Sequence, residues 1–104
     1  MSANLHAFVQ EHIVRGKWAK KDRPVLLNNW EATYFDFNER KLLSLAKDAA
    51  KLGAELFVLD DGWFGARDND AKGLGDYTVN RKKLPGGLAG LAEKVHALGL
   101  LFGL

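Results

Sequence analysis

The sequence predicts an α/β fold in which parallel strands alternate with helices that cover the sheet. Short apolar segments lie at residues 24–30, 54–59 and 100–102, and amphipathic helical patterns lie between them. Each of these helices ends in a Leu-Gly pair directly before a strand. Strands without alternating polar residues are typical of parallel sheets. About two and a half such β/α units would fit either an open doubly wound sheet or part of a (β/α)8 barrel.

The N-terminal region is predicted to be a helix followed by a polar connector. Apolar side chains recur at helical spacing in residues 3–14, namely at Leu5, Phe8, Val9 and Ile13. Residues 17–23 form a basic segment that carries Trp18. We therefore divide the chain into this helix and connector, residues 1–23, and the β/α units, residues 24–104. Because the sequence stops within an apolar run without a closing turn or cap, we expect it to be a piece of a longer chain.

The first β/α unit has clear boundary signals. Pro24 opens the first strand, a position that tolerates proline, and the strand is expected to continue to Trp30. Asp36 and Glu39 resemble a capping box, with Asp36 as the N-cap residue of the next helix. The apolar face of that helix is predicted to comprise Leu42, Leu45, Ala46, Ala49 and Leu52. Gly53 would end it.

The second unit contains a long polar segment. The strand at residues 54–59 is followed by a predicted surface loop at 64–85, and loops of this length inside compact domains are often functional. The Arg81-Lys82-Lys83 run within it is expected to be solvated. A second amphipathic helix then carries Leu88, Leu91, Ala92, Val95 and Leu98, and ends at Gly99.

Composition excludes several classes of function. Fifteen Lys and Arg against 13 Asp and Glu give a net charge of +2 without a basic stripe, so no nucleic-acid partner is expected. No apolar run approaches the roughly 20 residues of a membrane helix. The absence of cysteine excludes disulfides and thiolate ligands. The first residues resemble no signal peptide, which predicts a cytoplasmic location. His6, His12 and His96 lack metal-ligand spacing, so neither a metal nor a cofactor is predicted.

Polar and aromatic side chains follow both complete strands. Asn28, Asn29, Trp30 and Glu31 end the first strand, and Asp60, Asp61, Gly62 and Trp63 end the second. The carboxyl ends of parallel strands meet at one edge of the sheet, where ligands bind. Carboxylates accept hydrogen bonds from hydroxyls, and indoles stack on apolar faces. The pattern fits a neutral sugar, although Asp-Asp-Gly taken alone is also a common turn. Two alternatives are left open for the 64–85 loop: Asp76 and Tyr77 reach over this edge, or Asp76 forms a turn.

Two long motifs carry a resemblance to a known family. The segments NNWEATYF at 28–35 and LDDGWF at 59–64 resemble those of bacterial α-galactosidases of glycoside hydrolase family 36. The similarity covers about residue 15 to 104. It implies a (β/α)8 barrel that hydrolyses terminal α-galactosyl groups with retention, in substrates such as melibiose and raffinose-type oligosaccharides. It also implies that Trp30 stacks on galactose while Asp60 and Asp61 bind its hydroxyls. Tyr77 departs from the family, which usually has Trp there.

The resemblance places the catalytic nucleophile and acid/base in segments that are not in this sequence. Consecutive strand residues point to opposite faces, whereas a retaining pair needs carboxyls about 5–5.5 Å apart across one bond. We therefore assign Asp60 and Asp61 to recognition and expect the chain alone to be inactive. The expected partner is an α-galactoside, and a homo-oligomer of the longer parent is left open. One alternative is a non-catalytic sugar-binding module, and another is Mg²⁺-dependent phosphoryl transfer with the two aspartates as ligands.

Overall fold

The structure is a computed structural model that describes residues 1–104 and contains a three-stranded sheet with helices. The α/β class predicted from the sequence is confirmed. The elements are α1 (Ser2–Phe8), a π-helix (Val9–Ile13), β1 (Leu26–Asn28), α2 (Trp30–Thr33), α3 (Glu39–Lys51), β2 (Leu56–Val58), α4 (Gly87–Ala97) and β3 (Leu101–Gly103). Each strand spans three residues, which is shorter than the apolar segments that predicted it.

The three strands are parallel and lie in the order β1-β2-β3. Leu27, Phe57 and Phe102 form one row across the sheet. The neighbouring rows lie on the opposite face, because successive strand residues alternate between faces. All three carboxyl ends therefore lie at one edge, as the sequence analysis predicts.

Both long helices pack on the same face of the sheet. The core joins that face to α3 and α4, and its buried residues are Phe37, Leu42, Ala46, Phe57, Leu59, Leu84, Leu91, Val95 and Leu100. A doubly wound sheet carries helices on both faces, whereas a barrel carries them only on the outside. Two successive helices on one face fit both folds, because right-handed crossovers between sequential strands place them there. The sheet itself is open. The uncovered face holds the half-exposed Leu26 and Leu101.

The predicted capping box at the start of α3 is wrong. Asn38 is the N-cap residue, with an extended backbone, and its Oδ1 accepts a hydrogen bond of 2.9 Å from the Lys41 amide. Asp36 instead pairs its carboxylate with Lys41 Nζ at 2.9 Å, on the surface. The helix begins at Glu39, so the residue next to it satisfies the free amides of the first turn and Asp36 lies too far back in the chain.

The predicted apolar face of α3 is correct except at its end. Leu42, Ala46 and Ala49 are buried, whereas Leu52 is 89% exposed. The helix ends at Lys51, and Gly53 follows with a φ of +93°, a backbone conformation that favours glycine. Leu52 therefore belongs to the turn and points away from the core.

The N-terminal segment is helical as predicted, but it changes from α-helix to π-helix at Val9. Its apolar side chains are largely exposed, and none of its residues is buried. No helix in the chain is both long enough and apolar enough to span a bilayer. The division of the chain at residue 23 stays a prediction.

The position of the α3 cap can be tested by substitution. We expect Asn38→Ala to lower the free energy of unfolding by about 1 kcal/mol, because it removes the acceptor for a first-turn amide. Asp36→Ala removes only an exposed ion pair and should cost less. Urea unfolding of both variants, followed by circular dichroism, measures the difference. A larger loss for Asp36→Ala would restore the capping box that the sequence suggests.

Candidate functional site

A cavity of about 430 Å³ opens at the carboxyl ends of β2 and β3. This volume is within the usual range for small-molecule sites, about 300–1,000 Å³. Two carboxylates and three aromatic rings are among the groups that line it. The lining residues are Val58, Leu59, Asp60, Asp61, Trp63, Phe64, Leu74, Tyr77 and Leu104. The cavity thus contains both predicted carboxylates.

Asp60 is held by the last residue of β1, Asn28, and by Asn29, which follows it. Its Oδ2 accepts a 2.7 Å hydrogen bond from Asn28 Nδ2, and its backbone amide donates to Asn29 Oδ1 at 2.8 Å. Its Oδ1 accepts from the amide of Asp61 at 2.7 Å. Asn29 is fully buried. It therefore connects the ends of β1 and β2 and is not available to a ligand.

Asp61 is held by a buried arginine. Arg67 donates from Nε and Nη2 to the Asp61 carboxylate at 2.7 to 3.0 Å, and the side chain of Arg67 is only 8% exposed. These hydrogen bonds hold the pKa of Asp61 below its usual value of 3.8, and the Gly62 amide and the charge of Lys83 act in the same direction. Burial raises the pKa against these effects but does not outweigh them. Asp61 is therefore an ionised acceptor at neutral pH.

Arg67 was not identified by the sequence analysis. Besides holding Asp61, its Nη1 donates to the carbonyls of Asn69, Asp70 and Lys72 at 2.8 to 3.2 Å. It therefore folds the start of the 64–85 loop around one guanidinium. In the sequence Arg67 is one of several charged residues in a polar segment. Only its closeness to Asp61 along the chain could have indicated that the two residues pair.

Trp30 is not among the residues that line the cavity. The strand ends at Asn28, so Trp30 begins the short helix α2 instead of ending β1 as predicted. Its ring is half-buried and makes edge contacts with Tyr34 and Phe35, with centroids 5.4 and 4.9 Å apart. Its amide donates to Asn28 Oδ1 at 2.7 Å. Asn28 therefore connects the backbone of Trp30 to the carboxylate of Asp60.

The backbone is strained next to this indole. Tyr34 has φ +48° and ψ −128°, and it is the one residue other than glycine with a positive φ. Such a conformation costs of order 1–3 kcal/mol and persists only where neighbouring contacts impose it. Here the contacts are the edge packing on Trp30 and a 3.3 Å hydrogen bond from the hydroxyl to Glu31.

Three aromatic residues form the other wall of the cavity. Trp63 packs against Phe64 with centroids 5.0 Å apart, and Tyr77 lies 4.8 Å from Phe64. An antiparallel bridge between Phe64 and Val79 brings the far part of the loop back to this wall. Tyr77 therefore reaches the cavity, whereas Asp76 packs beside Gly65 and does not line it.

The two carboxylates lie on one cavity although they are consecutive in sequence. The predicted divergence of their side chains is wrong, because β2 ends at Val58 and strand alternation does not extend to Asp60 and Asp61. The assignment of both to recognition now depends on their partners. Asp61 is ionised and paired with Arg67. An ionised carboxylate in such a pair is unsuited to act as a proton donor.

Lys83 corrects the expectation of a solvated basic run. Arg81 and Lys82 are exposed, but the Lys83 side chain is only 12% exposed. Its ammonium donates to the carbonyls of Phe35, Gly62 and Arg67 at 3.0, 2.8 and 3.3 Å. Nothing in the composition of the run distinguishes Lys83 from its neighbours.

Comparison with known proteins identifies relatives along the whole chain. The melibiase family model matches residues 1–104. Alpha-galactosidase AgaA of Geobacillus stearothermophilus is 58% identical over all 104 residues, and Alpha-galactosidase Mel36A of Lactobacillus acidophilus is 57% identical. A crystal structure of an AgaA variant in complex with raffinose superposes over the whole chain with a TM-score of 0.94 and 57% identity. The chain spans 14% of the length of each of these relatives.

The ion pair between Asp61 and Arg67 predicts a pH-dependent stability. The pKa of Asp61 in the folded chain is below its ordinary value of 3.8, so the pair stabilises fully above that value. The stabilisation is lost as the pH falls through the folded pKa. We expect Asp61→Asn to lower the Tm by a constant amount between about pH 5 and 7, and by less below about pH 4.

Thermal unfolding across this pH range measures the effect, and Arg67→Met is the control. In the Arg67→Met background, the Asp61→Asn substitution should no longer produce a difference that narrows in acid. A Tm difference that persists unchanged down to about pH 2 in the native background would contradict this account.

Proposed function

The chain belongs to the melibiase family, and from this we propose that it supplies the galactose-recognition part of an α-galactosidase. The proposed reaction is hydrolysis of terminal α-galactosyl groups from galactosides such as melibiose and raffinose-type oligosaccharides. The structure of a relative with raffinose supports this substrate class. The cytoplasmic location inferred from the sequence stays a prediction.

One observation carries the proposal, namely that Asp60 and Asp61 lie together on the cavity at the strand ends. Each oxygen of Asp60 accepts one hydrogen bond from the protein, and an ionised carboxylate has about four acceptor positions. Acceptor capacity is therefore left for sugar hydroxyls. Charge-assisted hydrogen bonds of this kind are stronger than neutral ones and impose a defined geometry.

Trp30 is proposed as the stacking surface for the apolar face of galactose. Its link to Asp60 supports this, since Asn28 bonds to the backbone of Trp30 and to the carboxylate of Asp60. Its edge contacts with Tyr34 and Phe35 leave part of the residue exposed. Trp63 and Tyr77, on the cavity wall, offer a second aromatic surface that a longer galactoside would contact.

Bond cleavage is proposed to require carboxylates outside this chain. A retaining glycosidase needs a nucleophile and an acid with a raised pKa on opposite sides of the bond. Asp61 has a lowered pKa because Arg67 bonds to its charged form, so it cannot serve as that acid at neutral pH. We propose that both aspartates bind hydroxyls and that no catalytic residue lies within residues 1–104.

The first test uses the isolated chain. We expect the 104-residue polypeptide to give no turnover of a chromogenic α-galactoside and no measurable heat on titration with galactose, because the site comprises only two strand ends. A chimaera, in which this chain replaces the aligned 104 residues of AgaA, should hydrolyse the same substrate. Turnover by the isolated chain would contradict the division between recognition and catalysis. Tight galactose binding by it would favour a sugar-binding module.

The second test uses the chimaera to examine Asp60. Asp60→Ala should lower kcat/KM for the chromogenic galactoside by about a hundredfold, since it removes a charged acceptor from the sugar hydroxyls. The matched control is Asp48→Ala, which removes an exposed aspartate on α3. Equal effects of the two substitutions, in chimaeras that melt normally, would refute the proposed role of the strand ends.

A further inference from the structure

The Lys83 ammonium joins three segments that are far apart in sequence. It bonds to carbonyls at residues 35, 62 and 67, which are 48, 21 and 16 positions away. It also lies 4.8 Å from the centre of the Phe37 ring and 3.4 Å from the exposed carboxylate of Asp68. An ammonium has three donors, and each carbonyl takes one of them. Such complete satisfaction is what a nearly buried charge requires.

Each of the three carbonyls belongs to a residue that contacts a proposed sugar-binding residue. Phe35 packs directly against the Trp30 ring, with centroids 4.9 Å apart. Gly62 follows Asp61 and donates its amide to the Asp61 carboxylate at 2.7 Å. Arg67 forms the buried ion pair with Asp61. Lys83 therefore hydrogen-bonds directly to the residues that contact the Trp30 ring and the Asp61 carboxylate.

The two segments pack so closely at Gly62 that no larger side chain fits there. Its φ is +97°, and a Cβ at this position would lie 3.0 Å from Phe35 Cδ1 and 3.2 Å from Phe37 Cε1. The Arg67 guanidinium also lies over the Phe35 ring, 5.6 Å from its centre. The Trp30 segment and the Asp61 segment thus meet at Gly62, and Lys83 bonds to the carbonyls on both sides of this junction.

We propose that Lys83 is a positioning residue that sets the separation between Trp30 and the Asp60–Asp61 pair, and hence the affinity for galactose. The proposal rests on the function proposed above. Lys83 is not among the residues that line the cavity, and its ammonium bonds to backbone carbonyls of the recognition segments, so it acts through their backbone. A neutral side chain of similar length would fill the space but leave the three carbonyls without their shared donor.

The test uses the chimaera with AgaA described above and compares Lys83→Met with Lys82→Met, the exposed neighbour. We expect Lys83→Met to raise the KM for the chromogenic galactoside and the inhibition constant for galactose about tenfold, because hydrogen bonds from a charged donor are lost. The kcat per folded molecule should change less than about threefold, since the reacting carboxylates are untouched. Lys82→Met should leave all three values unchanged.

A purely structural role gives a different result. It would lower the Tm and the folded fraction of Lys83→Met while the KM of the folded molecules stayed native, and that result would overturn the proposal. If Lys83→Met does not fold, Lys83→Arg keeps the charge but changes the reach of the donors, and a native KM in that variant would also overturn it. A folded but inactive unsubstituted chimaera would instead refute the proposed function, and the role of Lys83 would be refuted with it.

Discussion

The parallel register of the three strands is the constraint on which the rest of the structure depends. Leu27, Phe57 and Phe102 stand side by side, so the chain leaves each strand at the same edge of the sheet. Asn28 and Asn29 at the end of β1 therefore meet Asp60, just beyond β2, without any long-range adjustment. The connecting helices must then cross on one face, where they bury the core of the chain. A shift of one residue would turn Phe57 away from this core and would separate Asn29 from Asp60.

Two nearly buried cations organise what the sheet does not. Beyond the strand ends the chain has little regular structure, and its carbonyls need donors. Arg67 gathers three of them and the Asp61 carboxylate, and Lys83 gathers three more. Each cation is stable in its site because nearly every donor is used, and each segment is ordered because one charge bonds to several of its atoms. The polar residues of the loop therefore serve both folding and the geometry of the acid pair.

The repeating parts of the fold could be predicted from the sequence, and the particular contacts could not. Hydrophobic periodicity and the glycines after the helices located both long helices and all three strands, because these signals are local. The place of Trp30 was missed because the strand ends two residues before it. The Asn38 cap was missed because Asp36 offered the same chemistry two positions earlier. Arg67 and Lys83 resemble any surface charge in a polar loop, and only the tertiary fold decides that they are enclosed.

The backbone at Tyr34 has a consequence for the indole beside it. Glycine would adopt this conformation at little cost. The sequence has a tyrosine here instead, and its ring packs edge-on against Trp30. Contact with this ring restricts the rotamers of Trp30 before any ligand binds. A sugar that stacks on it would then lose less side-chain entropy from the protein on binding. If Trp30 stacks on galactose as proposed, the unfavourable torsion at Tyr34 would lower the entropic cost of that binding.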